Sequence, residues 1–163
     1  MSIEENKAVV GKFLKACRAP TGARLRRIRD ASDPAVELEK YVRSGFSQVL
    51  ASSYVDHGPR YDVPFEELIQ TGVLLMSAFP DLTYEAEDMV AVRDKVVARY
   101  TAHGTHLGQF VDVPPSGKKI EINGIYIGRV AGGKIAEGWY VSSFFSGKEI
   151  FEQLRLFLLA KSQ

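Results

Sequence analysis

The sequence predicts an α+β fold in which an antiparallel sheet carries helices on one face. Three observations carry that prediction. Apolar residues recur at three- and four-residue spacing from Ile3 to Phe79. From Leu82 onward they alternate with polar residues, the two-residue period of half-buried strands. Gly132-Gly133 separates two of these alternating runs, as a tight hairpin requires. Helices followed by hairpin-linked strands fit a sheet covered on one side. Curved into a cone, such a sheet would hold the helices on its concave face, with an apolar pocket between them.

The elements follow in order. Val10, Phe13, Leu14 and Cys17, with Ile3 further back, form the stripe of a first helix. Ser2 is placed to cap it, and Pro20 and Gly22 end it. Arg18, Arg24, Arg26, Arg27 and Arg29 then gather in a short stretch. That stretch reads either as a solvated linker or short helix, or as an anion or partner site. Ser32-Asp33-Pro34 starts the next helix, whose stripe is Leu38, Tyr41, Val42, Gly45, Phe46 and Val49 and which fades near Ser52-Ser53. Tyr54 to Pro59 is a short extended piece entering a turn. A third helix runs from about Pro64 to Pro80. Strands are expected at Leu82–Val92, Lys95–His103, Lys118–Val130 and Lys134–Phe145, and Ile150, Phe151, Leu154, Phe157 and Leu158 mark a closing helix.

The composition excludes several classes. The 163 residues suit one domain. With 21 basic and 20 acidic residues the net charge is +1, so nucleic acid and anionic membranes are not expected partners. Cys17 is the only cysteine, which rules out an internal disulfide and a multi-cysteine metal site. No run approaches the roughly 20 apolar residues of a membrane span. The acidic start Ser2-Ile3-Glu4-Glu5 is not a secretory signal, so a cytoplasmic location is expected.

The residues with chemical potential are few. No phosphate-binding glycine loop, nucleophile elbow or His-Glu-x-x-His motif occurs. His57, His103 and His106 lack a diagnostic metal spacing, so a metal is not expected. Asp56-His57 sits at the junction of helix and turn, just before glycine and proline. It reads as an acid/base pair at a pocket mouth, or as a turn whose Asp caps backbone N–H groups. His106, in Gly104-Thr105-His106-Leu107-Gly108, is the second candidate imidazole. Tyr140 shares a strand face with Gly138 and Ser142, and its hydroxyl could stabilise an enol; otherwise its tip lies at the surface. The catalytic candidates are thus Asp56, His57, His106 and Tyr140. Tyr54, Met76, Phe79, Tyr126 and Trp139 are candidate substrate contacts, although Met76 and Phe79 also read as core.

Several segments together resemble the SnoaL-like polyketide cyclase family. They are Glu5-Asn6-Lys7-Ala8-Val9-Val10, Tyr54-Val55-Asp56-His57, Ala78-Phe79-Pro80-Asp81-Leu82, Gly104-Thr105-His106-Leu107-Gly108, Val113-Pro114-Pro115-Ser116-Gly117-Lys118 and Gly133-Lys134-Ile135-Ala136-Glu137-Gly138-Trp139. They occur in family order. The resemblance implies a nuclear-transport-factor-2-like cone over residues 1–163, with the helical segment at about 18–50 as an insertion. It also implies a homodimer formed through the sheet, and a cofactor-free site where an aspartate removes a proton. Members usually carry an acid shortly after the tryptophan of the last strand, but here Trp139 is followed by Tyr140-Val141-Ser142-Ser143. A histidine frequent before it is replaced by Gly138. The expected function is a cyclase or isomerase of a small apolar polyketide- or terpenoid-type metabolite. The alternatives are a non-catalytic binding or scaffold protein and, third, an epoxide-opening hydrolase or cyclase drawing on Asp56, Asp62, Glu87 and Asp88.

Overall fold

The computed structural model describes residues 2–58, 61–143 and 148–160. Helix α1 (Ile3–Ala16) begins with a reciprocal cap: Glu5 N–H donates to the Ser2 hydroxyl, and Ser2 N–H donates to the Glu5 carboxylate. Helix α2 (Gly22–Arg29) is the arginine-rich segment, with Arg26, Arg27 and Arg29 in its last turn. Helix α3 (Pro34–Val49) starts on Asp33, whose carboxylate accepts from the N–H groups of Ala35 and Val36. It ends at Val49 rather than near Ser53, because Leu50 turns extended (φ −101°, ψ 145°) and enters strand β1 (Leu50–His57). There Leu50 is buried and pairs with Ile135, so sheet pairing overrides the helical periodicity.

A short strand β2 (Asp62–Pro64) follows, then helix α4 (Phe65–Ala78). Strands β3 (Thr83–Val92), β4 (Lys95–Thr105), β5 (Lys119–Ala131) and β6 (Lys134–Ser142) come next. The β5–β6 turn uses left-handed backbone at both Gly132 (φ 57°) and Gly133 (φ 80°), as a tight hairpin requires. The last part of the expected fourth strand, Phe144 and Phe145, lies outside the described residues. Helix α5 (Lys148–Leu159) buries Leu154 and Leu158, while the side chains of Ile150 and Phe151 are not described.

The α+β class holds, but the antiparallel cone does not. Among the described residues the strands form an open six-stranded sheet in the order β2-β1-β6-β5-β4-β3. Strands β2 and β3 lie at opposite edges and do not meet, so the sheet is not closed into a cone. It is also not wholly antiparallel, because β1 runs parallel to β6. That pairing is non-local and leaves no mark in the sequence.

The side-chain alternation assigns the two faces. Val96, Ala98, Tyr100 and Ala102 of β4, and Ile120, Ile122, Tyr126 and Val130 of β5, are buried. Phe13, Val42, Phe46 and Ile69 from the helices join them in one core. The other face carries Arg99, Ile125, Arg129, Glu137, Trp139 and Val141.

Beyond β4 the chain folds back against the end of α4. Leu107 and Gly108 N–H groups both donate to the Ala78 carbonyl at 3.0 Å. A Cβ on Gly108 would lie 2.0 Å from the Ser77 carbonyl oxygen, a backbone atom that cannot swing aside. Gly108→Ala is therefore expected to cost about 1–3 kcal/mol, read as a lowered urea midpoint. An unchanged midpoint would contradict this close packing.

Candidate functional site

Between the sheet and helices α1, α3 and α4 lies a cavity of about 130 Å3. Its walls are mainly apolar and aromatic, from Phe13 and Leu14 of α1, Phe46 of α3 and Leu68 and Met76 of α4. The sheet contributes Tyr84, Tyr100, Ile120, Ile122, Tyr126 and Tyr140. The exposed Glu67 and half-buried Tyr61 and Thr71 also border it. A second carboxylate, Asp56, is set into the wall, only 3% exposed.

Strand β1 puts Asp56 there. Alternation along β1 turns Tyr54 and Asp56 inward and Val55 and His57 outward. The parallel register sets Asp56 beside Gly138 of β6 and His57 beside Trp139. Asp56 Oδ1 is buried and has no hydrogen-bond partner among the described residues. Burial raises the Asp56 pKa to about 7; the Tyr54 hydroxyl and then the nearby His57 offset part of that rise.

Gly138 explains how the tyrosines approach. The hydroxyls of Tyr54 and Tyr126 lie 3.2 Å apart, in hydrogen-bond contact. A Cβ on residue 138 would sit 2.1 Å from the Tyr54 hydroxyl and 2.8 Å from that of Tyr126. The two phenols thus fill the space that a side chain at 138 would need. Gly124 plays the same part for Tyr100, whose hydroxyl lies 2.5 Å from the corresponding Cβ position. Burial raises the pKa values of Tyr54, Tyr100 and Tyr126, which keeps them protonated as potential donors. Cys17 also lines the cavity, and burial pushes its thiol well above the usual range, so it stays protonated.

The four candidate catalytic residues do not converge. Asp56 and Tyr140 border the cavity. His57 is on the opposite sheet face, stacked on Trp139 at 5.0 Å with its Nδ1 2.8 Å from Asp62. His106 is fully buried under the loop after β4, between Phe79 and Phe110. Its Nδ1 accepts from Ser116 N–H at 3.2 Å and lies 2.9 Å from the Ser116 hydroxyl. Burial holds this imidazole below its usual range. His106 does keep the inward parity of Gly104, but past the end of the sheet that direction leads into the loop cluster.

The substrate-contact candidates divide likewise. Met76 and Tyr126 line the cavity, and Tyr54 stands behind Tyr126. Phe79 belongs to the His106 cluster, and Trp139 faces outward beneath Lys95. Of the other carboxylates, Asp62 is held by His57, Glu87 accepts from Thr101, and Asp88 pairs with Arg99. None of the three borders the cavity. No group of three or more His, Cys, Asp or Glu side chains is arranged to hold a metal among the described residues. No helix among them is long and apolar enough to cross a membrane. Sequence reasoning missed Tyr84 and Tyr100 as wall residues. The available signal was the inward parity of Tyr100 opposite Gly124 in the β4–β5 ladder.

The SnoaL-like polyketide cyclase family model matches residues 36–145, more than half of the chain. The protein belongs to that family. AclR from Streptomyces galilaeus superposes with a TM-score of 0.70 at 22% identity, covering 96% of this chain and 97% of that one. TsrD from Streptomyces laurentii gives 0.68 at 20% identity, covering 99% of each chain. Wild-type IdmH from Streptomyces antibioticus gives 0.63 at 21% identity, with 92% and 98% covered. At these identities the superpositions speak to the fold. No curated protein sequence matches the chain. Family membership supports a small organic ligand and gives the cavity of this SnoaL-like chain enzymatic potential.

The raised Asp56 pKa makes a prediction about stability. A carboxyl whose folded pKa lies above its unfolded value of about 4 binds protons more readily in the native state. Its relative stabilisation is complete below about pH 4, falls as pH rises, and is gone above about pH 7. Asp56→Asn should remove that dependence. Between pH 5 and pH 8, urea unfolding of the variant should gain on the parent by about 1–3 kcal/mol. Parallel pH curves would contradict a buried, destabilised carboxylate.

Proposed function

We infer that the protein is a cyclase or isomerase that moves a proton on a small polyketide- or terpenoid-type metabolite, with Asp56 as the acid/base group. The observation that carries this reading is the Asp56 carboxyl, buried in an aromatic cavity with Oδ1 unpartnered. A pKa of about 7 suits it to both halves of a proton shuttle near neutrality. Asp56 takes a proton from carbon next to a carbonyl, the Tyr140 hydroxyl donates to the developing enolate oxygen, and the Asp56 carboxylic acid returns the proton to a different carbon. The β6 positions after Trp139, where the family resemblance implies an acid, hold Tyr140 and Ser142 on the inward face. The carboxylate stands one strand away, on β1 beside Gly138. His57 and His106 act in this reading as an outer-face side chain and a loop anchor. The lack of an acid on that part of β6 favours a second reading, a protein that binds an apolar metabolite without turnover.

Solvent exchange separates the two. A cyclic ketone incubated in D2O should exchange the C–H next to its carbonyl faster with the protein than without it. Asp56→Asn should reduce the enzymic rate by about 10²–10⁴, and Tyr140→Phe by about a hundredfold. His57→Ala should leave it near the parent value. The rate should rise with pH through about 7, as the base ionises. Tight binding of the ketone with no enzymic exchange would establish the binding reading, and exchange unaltered in Asp56→Asn would remove Asp56 as the base.

The bare sheet face is the surface assigned to dimerisation in this proposal. It exposes Val90 at 63%, Ile125 at 48% and Val141 at 62%, with the Arg99–Asp88 and Arg129–Glu137 pairs nearby. Sedimentation should give a dimer in the parent and a monomer in the Ile125→Glu/Val141→Glu variant. A monomeric parent would refute this assignment.

A further inference from the structure

A second concavity lies on the other side of α1 and α3, and no described residue lines both it and the aromatic cavity. Its floor forms where these two helices pack against each other, with the Cβ position of Gly45 3.4 Å from Ala16 Cβ. Helix α2 makes the third wall, anchored by buried Ile28. The groove has a volume of about 940 Å3.

Its charge is one-sided. Among the described residues, Lys12 and Lys15 enter from α1, Arg24 and Arg27 from α2, and Lys40 from α3, against a single carboxylate, Glu37. Glu37 is bound to Lys40 at 2.6 Å, and Arg24 rests over the Tyr41 ring at 5.5 Å. Lys12, Lys15 and Arg27 are exposed and have no carboxylate partner among the described residues. Five cations less one carboxylate leave a surplus of four in one concavity. The chain as a whole carries only +1, so the surplus is local.

We propose that this groove binds a small molecule carrying two or three adjacent phosphate groups. In a chain of linked phosphates each group carries one negative charge and the end group a second that ionises near neutral pH, so two or three together carry roughly three to four charges and match the surplus of four. Lysines deliver point charge to phosphate oxygens, and the Arg24 and Arg27 guanidinium groups can engage them by bidentate hydrogen bonds. A single phosphate would leave most of the surplus unmatched. A long nucleic acid fits poorly, because the cations gather in a pocket formed by three helices. The adjoining α2–α3 connection also carries the exposed acids Asp30 and Asp33.

Calorimetric titration of the full chain at low ionic strength tests this, with inorganic tripolyphosphate as the probe. Tripolyphosphate should bind with a Kd below about 1 mM, and orthophosphate at least about tenfold more weakly. Affinity should fall steeply as salt is raised. The exposed pair Lys15→Ala/Arg27→Ala should weaken binding about tenfold or more without changing the thermal midpoint measured in the absence of ligand, while Lys119→Ala on β5 should not weaken it. ATP binding as tight as tripolyphosphate would place recognition in the phosphates alone, and tighter binding would add a contact to the nucleoside; both support the site. Absence of tripolyphosphate binding, equal affinity in the Lys15→Ala/Arg27→Ala variant, or tighter binding of a duplex DNA at the same salt would overturn the proposal.

Discussion

The candidate site depends on how closely tyrosine hydroxyls can approach the sheet. Tyr54 and Tyr126 meet above Gly138, and Tyr100 lies over Gly124, in spaces that a Cβ would occupy. Glycine weakens a strand interior, since it has no side chain to pack. Here the bulk is supplied by large rings from neighbouring strands. Asp56 is held beside Gly138 by the same register, so the missing side chain also shapes the environment of the carboxyl. A larger residue at 138 would displace the phenols before it reached the cavity.

That packing carries an electrostatic consequence. A carboxylate removed from water among aromatic rings ionises less readily, and among the described residues no lysine, arginine or histidine lines the cavity to compensate. The cost to stability above neutral pH is the same effect that places the Asp56 pKa near 7. The arrangement therefore joins a modest folding penalty to a group able to exchange protons near neutrality.

The two concavities of the helical layer differ in kind. One is aromatic, lies against the sheet and has the deeply buried Asp56 carboxyl in its wall. The other is lined by cations and lies between helices α1, α2 and α3. Helices α1 and α3 serve both, because each presents an apolar stripe inward and lysines outward. Phe13 and Phe46 border the cavity, whereas Lys12, Lys15 and Lys40 border the groove. The α2 segment, legible in the sequence only as a run of arginines, supplies the wall that makes the second concavity.

The sequence alone carried the class of the fold, the shared face of Gly138, Tyr140 and Ser142 on β6, the helix starts at Ser2 and Asp33, and the hairpin at Gly132-Gly133. These are local properties, set by periodicity, capping and backbone freedom. It also identified Asp56 and Tyr140 as candidates and the family from dispersed motifs. Tertiary structure decided the rest. It opened the sheet, paired β1 parallel to β6, and turned Leu50 from the end of a helix into a strand. It separated His57 and His106 from Asp56, because adjacent residues of a strand face opposite sides and because the chain leaves the sheet after Thr105. Which side chains share a cavity depends on contacts between residues distant in sequence, and local periodicity carries no record of those contacts.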